Sequence, residues 1–282
     1  MSASSIVVRR RVMDRVFSVF CYAVTAIALI ALAAILWTLL GKGFSGINPS
    51  VFVQSTPAPG SAGGLANAIV GSIMMCVMAM VLALVIGVLA GTWLAEYGGR
   101  SRYGSAVRFL NDVLLSAPSI LVGLFVYEIL VRPFHGFSAL AGSVALALIA
   151  LPVITRTTED VLSLQPSALR ESGVALGAHT SLVIRQILWP SARNGILTAA
   201  LLAFARISGE TAPLLFTALN NQFFSLDPTH PMANLPTVIF QFALSPYDDW
   251  RRLAWVGALL IAITVLSVTI VARTLAREQR RT

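Results

Sequence analysis

Arg206 and Glu210 stand four residues apart inside an apolar run, Ala205-Arg206-Ile207-Ser208-Gly209-Glu210-Thr211-Ala212-Pro213. On a helix, side chains at that spacing project from one face. A charged group at the centre of a membrane helix costs about 2.5–3.5 kcal/mol on insertion scales, so it turns to the protein interior or to a wet cavity. An arginine offers a planar fork of donors that matches the oxygens of an oxyanion, and it keeps its charge at every relevant pH. Glu210 would offset part of that charge, so that an anion is not held permanently. Ser208 and Thr211 add hydroxyls, and Pro213 frees a backbone carbonyl one turn back, near Gly209, as in an irregular helix lining a cavity. Arg206, Ser208, Glu210 and Thr211 are therefore a candidate anion path. The alternative is a structural ion pair between Arg206 and Glu210 that fixes helix packing.

Other chemistries lack their residues. The only lysine, Lys42, lies in Leu40-Gly41-Lys42-Gly43. A phosphate-binding P-loop needs Ser or Thr after its lysine to hold Mg²⁺, so ATP hydrolysis would have to come from a partner chain. ATP and Mg²⁺ would be bound there, and no cofactor of this chain's own is expected. Cys21 and Cys76 sit in apolar runs and read as packing thiols. His135, His179 and His230 are widely separated, with no spacing that suggests a metal site. The net charge of +8 does not indicate nucleic acid, because no basic stripe is interleaved with aromatics.

The elements that must position the pair follow from composition. Hydrophobic residues make up 57% of the 282 and charged residues 11%, against about 25% charged in a soluble domain. That leaves too little polar surface to coat a soluble globule, and implies an all-α integral membrane protein, since open strands cannot satisfy their backbone in lipid. Apolar runs long enough to span lie at about 17–40, 66–94, 113–131, 137–154, 195–219 and 253–271. Pro118 falls in the first turns of the third, and Pro152 ends the fourth. The first run follows Arg9, Arg10 and Arg11 but is too long for a cleavable signal sequence. Six spans put both termini on one side. Of the 20 basic residues, 15 fall on the side of the termini and 4 on the other (Lys42, Arg132, Arg251, Arg252), which makes the termini cytoplasmic. The resulting plan is a tail over 1–15, one transmembrane domain over 16–275 and a tail over 276–282. Within it lie a cytoplasmic segment at 155–194 and an external loop at 220–250. The run Val238–Leu244 in that loop is too short to span and reads as an interfacial or re-entrant helix.

The cytoplasmic segment is not a polar linker. Leucines, valines and isoleucines recur through it at mixed helical spacings, Pro166 and Ser167 offer a helix start, and Gly173 and Gly177, four apart, share one helix face and permit close approach of another surface. It is either a pair of connecting amphipathic helices or a docking surface. Glu171-Ser172-Gly173-Val174-Ala175-Leu176-Gly177, nine residues, then Ile187-Leu188-Trp189-Pro190 resembles the EAA loop of ABC importer permeases. Ser172 and Gly173 replace the two alanines with small side chains, and Trp189 replaces a leucine. The resemblance implies that Glu171, Ser172, Gly173 and Gly177 belong to a coupling helix that inserts into an ATP-binding subunit.

The Arg206–Ala218 phrase, with Asn220 to Phe224 and stretches from Gly64 to Ser72, Ala117 to Tyr127, Pro152 to Val161 and Ala233 to Pro246, resembles the PstA-type permeases of bacterial phosphate ABC importers over roughly 60–275. That likeness implies a six-helix, type I, MetI-like permease bundle in the bacterial inner membrane. It also implies a PstC-like sister permease, a dimeric ATP-binding subunit, an extracytoplasmic phosphate-binding protein, and no enzymatic chemistry in this chain. A permease for sulfate, molybdate or phosphonate is the alternative that Arg206 alone does not separate. An ion-coupled secondary transporter would need more spans and a relay of ionisable groups. A scaffold or signalling protein would leave Arg206 and Glu210 purely structural. Glu96, Asp112 and Glu128 read as groups at span ends, and Arg156 with Glu159 and Asp160 as a local salt bridge or helix start, the alternative being a contact that orients the coupling helix.

Overall fold

The computed structural model describes residues 3–99 and 101–278, with side chains over 10–99 and 101–275. Arg100, Arg280 and Arg281, and the side chains of Arg9 and Arg277, which entered the charge count, lie outside the described residues. All regular structure among the described residues is helical. It comprises α1 (Ala3–Gly46), α2 (Ser50–Val53), α3 (Ala66–Trp93), α4 (Arg102–Ser116), α5 (Ser119–Val126), α6 (Ala139–Ser163), α7 (Ser167–Ala175), α8 (Thr180–Val183), α9 (Trp189–Ile207), α10 (Ala212–Thr217), α11 (Leu235–Ala243) and α12 (Asp248–Glu278). Wide π-helical turns extend α3 to Gly98 and α5 to Val131, and join α8 to α9 over Ile184–Leu188.

Five helical stretches are long and apolar enough to cross a membrane, and a sixth exists only if α4 and the α5 stretch count as one. The third span is therefore not the continuous helix expected at 113–131. Its two halves meet at 106°. Pro118 pushes Ala117 into extended backbone (φ −66°, ψ 135°) and has no N–H to give, so the helix stops before it.

Pro152 has the opposite outcome. α6 begins where Ser138 accepts from the Ala141 N–H and runs through Pro152 to Ser163, instead of ending at 154. Here the proline is buried and the Asn111 amide donates to its carbonyl at 3.2 Å. Packing on several sides holds a helix that sequence reading would end.

α6 is central because its inward face is small. Ala139, Gly142, Ala145, Leu146, Ile149 and Ala150 are buried, and α3 offers Gly87 and Gly91 opposite. A Cβ on Gly91 would meet the Thr155 carbonyl at 2.5 Å, so glycine there lets the two backbones nearly touch. Helix association in lipid rests on such close packing more than on apolar burial. α9 packs on α6, and α12 on α9 and α11. One cluster, including Leu162, Val183, Ile184 and Leu188, closes one end of the bundle. Another, including Val51, Leu65, Val238, Phe242 and Val256, closes the opposite end.

α1 stands largely apart. It is helical from Ala3, so residues 3–15 of the expected tail continue the first span as helix. It meets the bundle at its last turns, where Gly43 and Gly46 lie against α12. Cys21 is exposed on it, whereas Cys76 is buried in α3.

Candidate functional site

The fifth span, read as continuous over 195–219, is broken. From Thr180 to Ile207 the chain is helical for 28 residues, about 42 Å at 1.5 Å per residue. Pro190 sits inside this rod, near the start of α9, where a missing N–H is tolerated. The rod ends as Ser208 and Gly209 form a turn, the Glu210 N–H reaches the Ile207 carbonyl at 3.2 Å, and α10 starts after Thr211. Pro213 pre-sets the first turn of α10.

Arg206 thus sits in the last turn of α9 and Glu210 in the break, not on one continuous face. Arg206 is exposed and Glu210 half-buried. No ion pair joins them among the described residues, and neither finds another charged partner within 4.0 Å. Gly209 is exposed, with no atom within 4 Å of where a Cβ would stand. The break therefore opens away from the chain's own core. Ser208 gives its hydroxyl to the Phe204 carbonyl at 2.6 Å, and Thr211 reaches the Gly209 carbonyl at 3.5 Å. Ser208 also touches an apolar cavity of about 210 Å³ shared with Ile73, Cys76 and Thr264. A hydroxyl spent on the backbone beside apolar walls shapes the break more than it offers a ligand.

α10 is only six residues long and leans on α5. A Cβ on Gly123 of α5 would stand 2.6 Å from the Pro213 Cα. That glycine lets the two short helices meet, and their union fixes where the break lies.

At the opposite end of the rod is the segment with the loop-like signature. α7 holds Glu171, Ser172 and Gly173, but Gly177 lies beyond its end at φ +80°, so the two glycines do not share a face. Gly177 turns the chain: its N–H reaches the Val174 carbonyl at 2.9 Å and the Ala178 N–H reaches the Gly173 carbonyl at 3.1 Å, the signature of a left-handed helix cap. Gly173 is buried, and a Cβ there would meet the Val183 Cγ2 at 2.7 Å. It serves packing inside the segment. The outward surface includes Glu171, Ser172, Val174, Ala175, Leu176 and Gly177, with Leu176 88% exposed.

One long-range ion pair fastens this segment to the bundle, and a second ties α4 to α6. Glu96, just past α3, is 6% exposed and takes bonds from Arg170 Nη2 at 2.7 Å and Nε at 2.9 Å. Arg170 also caps the Gln165 and Leu162 carbonyls, each at 2.8 Å. The hydrogen bonds to Glu96, with its negative charge, hold the guanidinium above its ordinary pKa, against the opposing pull of burial. Arg108 of α4 bonds Glu159 of α6 at 2.6 Å and the Gly99 carbonyl at 2.8 Å. The local triad read at 156–160 is thus split: Arg156 faces Asp160 at 3.5 Å, while Glu159 turns inward to Arg108. The Trp189 indole donates to Thr92 at 3.1 Å, so the departure from leucine there adds a tie between α9 and α3. Carboxylates just past apolar runs, near arginines on the same side, were the available signal. Their pairing across 74 and 51 residues was not legible.

Residues 83–281 match the family described as binding-protein-dependent transport system inner membrane component. The phosphate transport system permease protein PstA of Pasteurella multocida is 50% identical over 264 residues, 94% of each chain. The protein of that name from Haemophilus influenzae is 49% identical over 252 residues, 89% of each chain. A probable PstA from Methanocaldococcus jannaschii is 35% identical over 267 residues, again 94% of each. Among solved structures, an inward-facing conformation of the MetNI methionine ABC transporter aligns with a TM-score of 0.60 at 18% identity, over 74% of this chain and 94% of that one. That likeness speaks for the fold alone: an all-α, MetI-like permease bundle. With a family match over most of its length and relatives at half identity, the chain belongs to the PstA family of phosphate transport system permeases, multi-pass integral proteins of the inner membrane.

Proposed function

We propose that this chain is a membrane-spanning permease subunit of an ATP-driven importer of inorganic phosphate, supplying one half of the translocation path. The observation that carries the reading is the helix break at 208–211, which follows an exposed Arg206 and contains a half-buried Glu210, two charges that do not pair with each other. A charged group kept beside an apolar span without an internal partner is costly. It makes sense where a second subunit closes a polar path over it. In this role Arg206 receives the phosphate oxygens, Glu210 and Thr211 keep the site polar and prevent permanent capture, and Ser208 fixes the turn.

The name shared by the relatives supports phosphate as cargo. A protonated phosphate oxygen can also donate to Glu210, which sulfate cannot do. The path is completed by a PstC-like sister chain. A dimeric ATP-binding subunit docks on Glu171, Ser172, Val174 and Leu176, and an extracytoplasmic phosphate-binding protein delivers cargo at the α11 end. Both termini and α7 then face the cytoplasm. Docking motions reach the site because the Thr180–Ile207 rod starts in the docking segment and ends beside Arg206.

The test is uptake of labelled phosphate by cells in which this importer is the only route for phosphate. Unlabelled phosphate should compete and excess sulfate or molybdate should not. No uptake of labelled phosphate, with uptake of labelled sulfate or molybdate in its place, would assign another oxyanion.

A further inference from the structure

A second positively charged feature lies at the α11 end, outside the path. Gly43 and Gly46, one turn apart near the end of α1, let it touch α12: a Cβ on Gly43 would meet the Leu259 Cβ at 2.8 Å, and one on Gly46 the Arg252 Cγ at 3.0 Å. This approach sets the Lys42 Nζ 5.1 Å from the centre of the Trp255 ring, within cation–π range. Between the helices opens a cleft of about 380 Å³ lined by Lys42, Ser45, Asp248, Arg251, Arg252 and Trp255. Arg251 is bonded to Asp248. Lys42 and Arg252 have no carboxylate partner among the described residues, so the cleft holds two uncompensated positive charges.

Its depth is set by the sequence. Lys42 lies two residues past the apolar run at 17–40, and Arg252 immediately precedes the run at 253–271. The cleft therefore sits where both helices leave the hydrocarbon, at headgroup level. Trp255 lines it and Trp37 is exposed on α1, one to two turns before Lys42. Indoles concentrate at that level. Deeper along the same helices, Leu36, Leu40 and Ile263 are exposed apolar side chains. Basic pockets between membrane helices bind phosphate-bearing headgroups.

We infer that this cleft binds the headgroup phosphate of an anionic phospholipid, with Lys42 and Arg252 on its oxygens and the acyl chains along the exposed faces of α1 and α12. The apolar surface beneath the cations favours a lipid over free phosphate, which has no use for it. The bound lipid would lie along α1 and α12 beside the point where the two helices touch.

The experiment is native mass spectrometry of the assembled importer in mild detergent, titrated with phosphatidylglycerol or with phosphatidylcholine. It compares the wild type with Lys42→Ala/Arg252→Ala, and with Arg132→Ala, whose arginine is already paired with Glu128. Each cation near a membrane surface is worth about a factor of five, so the double variant should bind phosphatidylglycerol about 25-fold more weakly. Arg132→Ala should bind as the wild type does, and phosphatidylcholine should bind all three weakly and alike. Equal phosphatidylglycerol binding by the double variant would overturn the site. Displacement of the lipid by millimolar inorganic phosphate would replace the lipid with the free anion. Displacement by the binding protein would make the cleft a protein dock instead.

Discussion

At the scale of single residues, Glu96 and Arg170 bear the greatest structural demand. Glu96 is nearly enclosed, and its carboxylate is satisfied by one guanidinium. Removing one partner of a buried pair costs about 3–5 kcal/mol, chiefly because the other charge stays behind. Arg170 is 27% exposed, which puts this pair at the lower end of that range. Arg170→Ala should therefore lower the thermal unfolding midpoint of the purified importer, and Glu96→Gln/Arg170→Met should recover most of the loss. A double variant no better than Arg170→Ala would deny the pair its role.

The two glycines of the same segment separate by mechanism. Gly177 holds φ +80° with open space around it, so Gly177→Ala costs about 1–2 kcal/mol through backbone strain. Gly173→Ala instead forces a methyl on Val183, an overpacking cost of about 1–3 kcal/mol. Adding Val183→Ala should rescue Gly173→Ala and leave Gly177→Ala unrescued in the same melting measurement.

At the scale of elements, the long apolar helices were legible because their signal is local: α3, α6 and α12 contain the apolar runs that announced them. What was not legible depends on neighbours. Pro118 ends a helix and Pro152 does not, and the difference lies in Asn111 and the packing around α6, which no local pattern reveals. The candidate path was legible as residue types, since charges in an apolar run stand out, but its geometry was not. The fifth span breaks between Arg206 and Glu210, so the four-residue spacing lost its helical meaning. The coupling signature was found by offsets, whereas the Glu96–Arg170 pair that holds its segment joins distant parts of the chain.

Two expectations belong at this scale. Gly123→Leu should disturb the α5–α10 contact and lower phosphate uptake even where the complex still assembles; unchanged uptake would mean that this contact does not set the break. On α7, Leu176→Asp should leave the melting temperature unchanged, since the side chain touches little, while reducing copurification of the ATP-binding subunit. Full copurification would exclude this face as the dock.

At the scale of the whole molecule, the chain is a permease subunit of a phosphate ABC importer. Its core is closed at both ends by apolar clusters, yet the break at 208–211 opens outward and α1 meets the bundle at one end only. The proposed orientation rests on the arginines on the side of α7. With Cys21 and Cys76 replaced by serine, Leu176→Cys should react with a membrane-impermeant maleimide only in inverted vesicles, and Ser225→Cys only in intact spheroplasts. The reverse pattern would invert the topology and remove the docking role from α7.

The central claim is that phosphate passes Arg206. The most direct measurement is labelled phosphate uptake at micromolar substrate by wild type, Arg206→Ala and Arg206→Lys, in cells with no other phosphate route, with membrane levels of the whole complex measured in parallel. Uptake should be abolished in the alanine variant and strongly impaired in the lysine variant, whose ammonium cannot reproduce the planar fork, while the complex assembles at wild-type level. Wild-type uptake by an assembled Arg206→Ala importer would contradict the claim, and would leave the charged residues at the break with a packing role only.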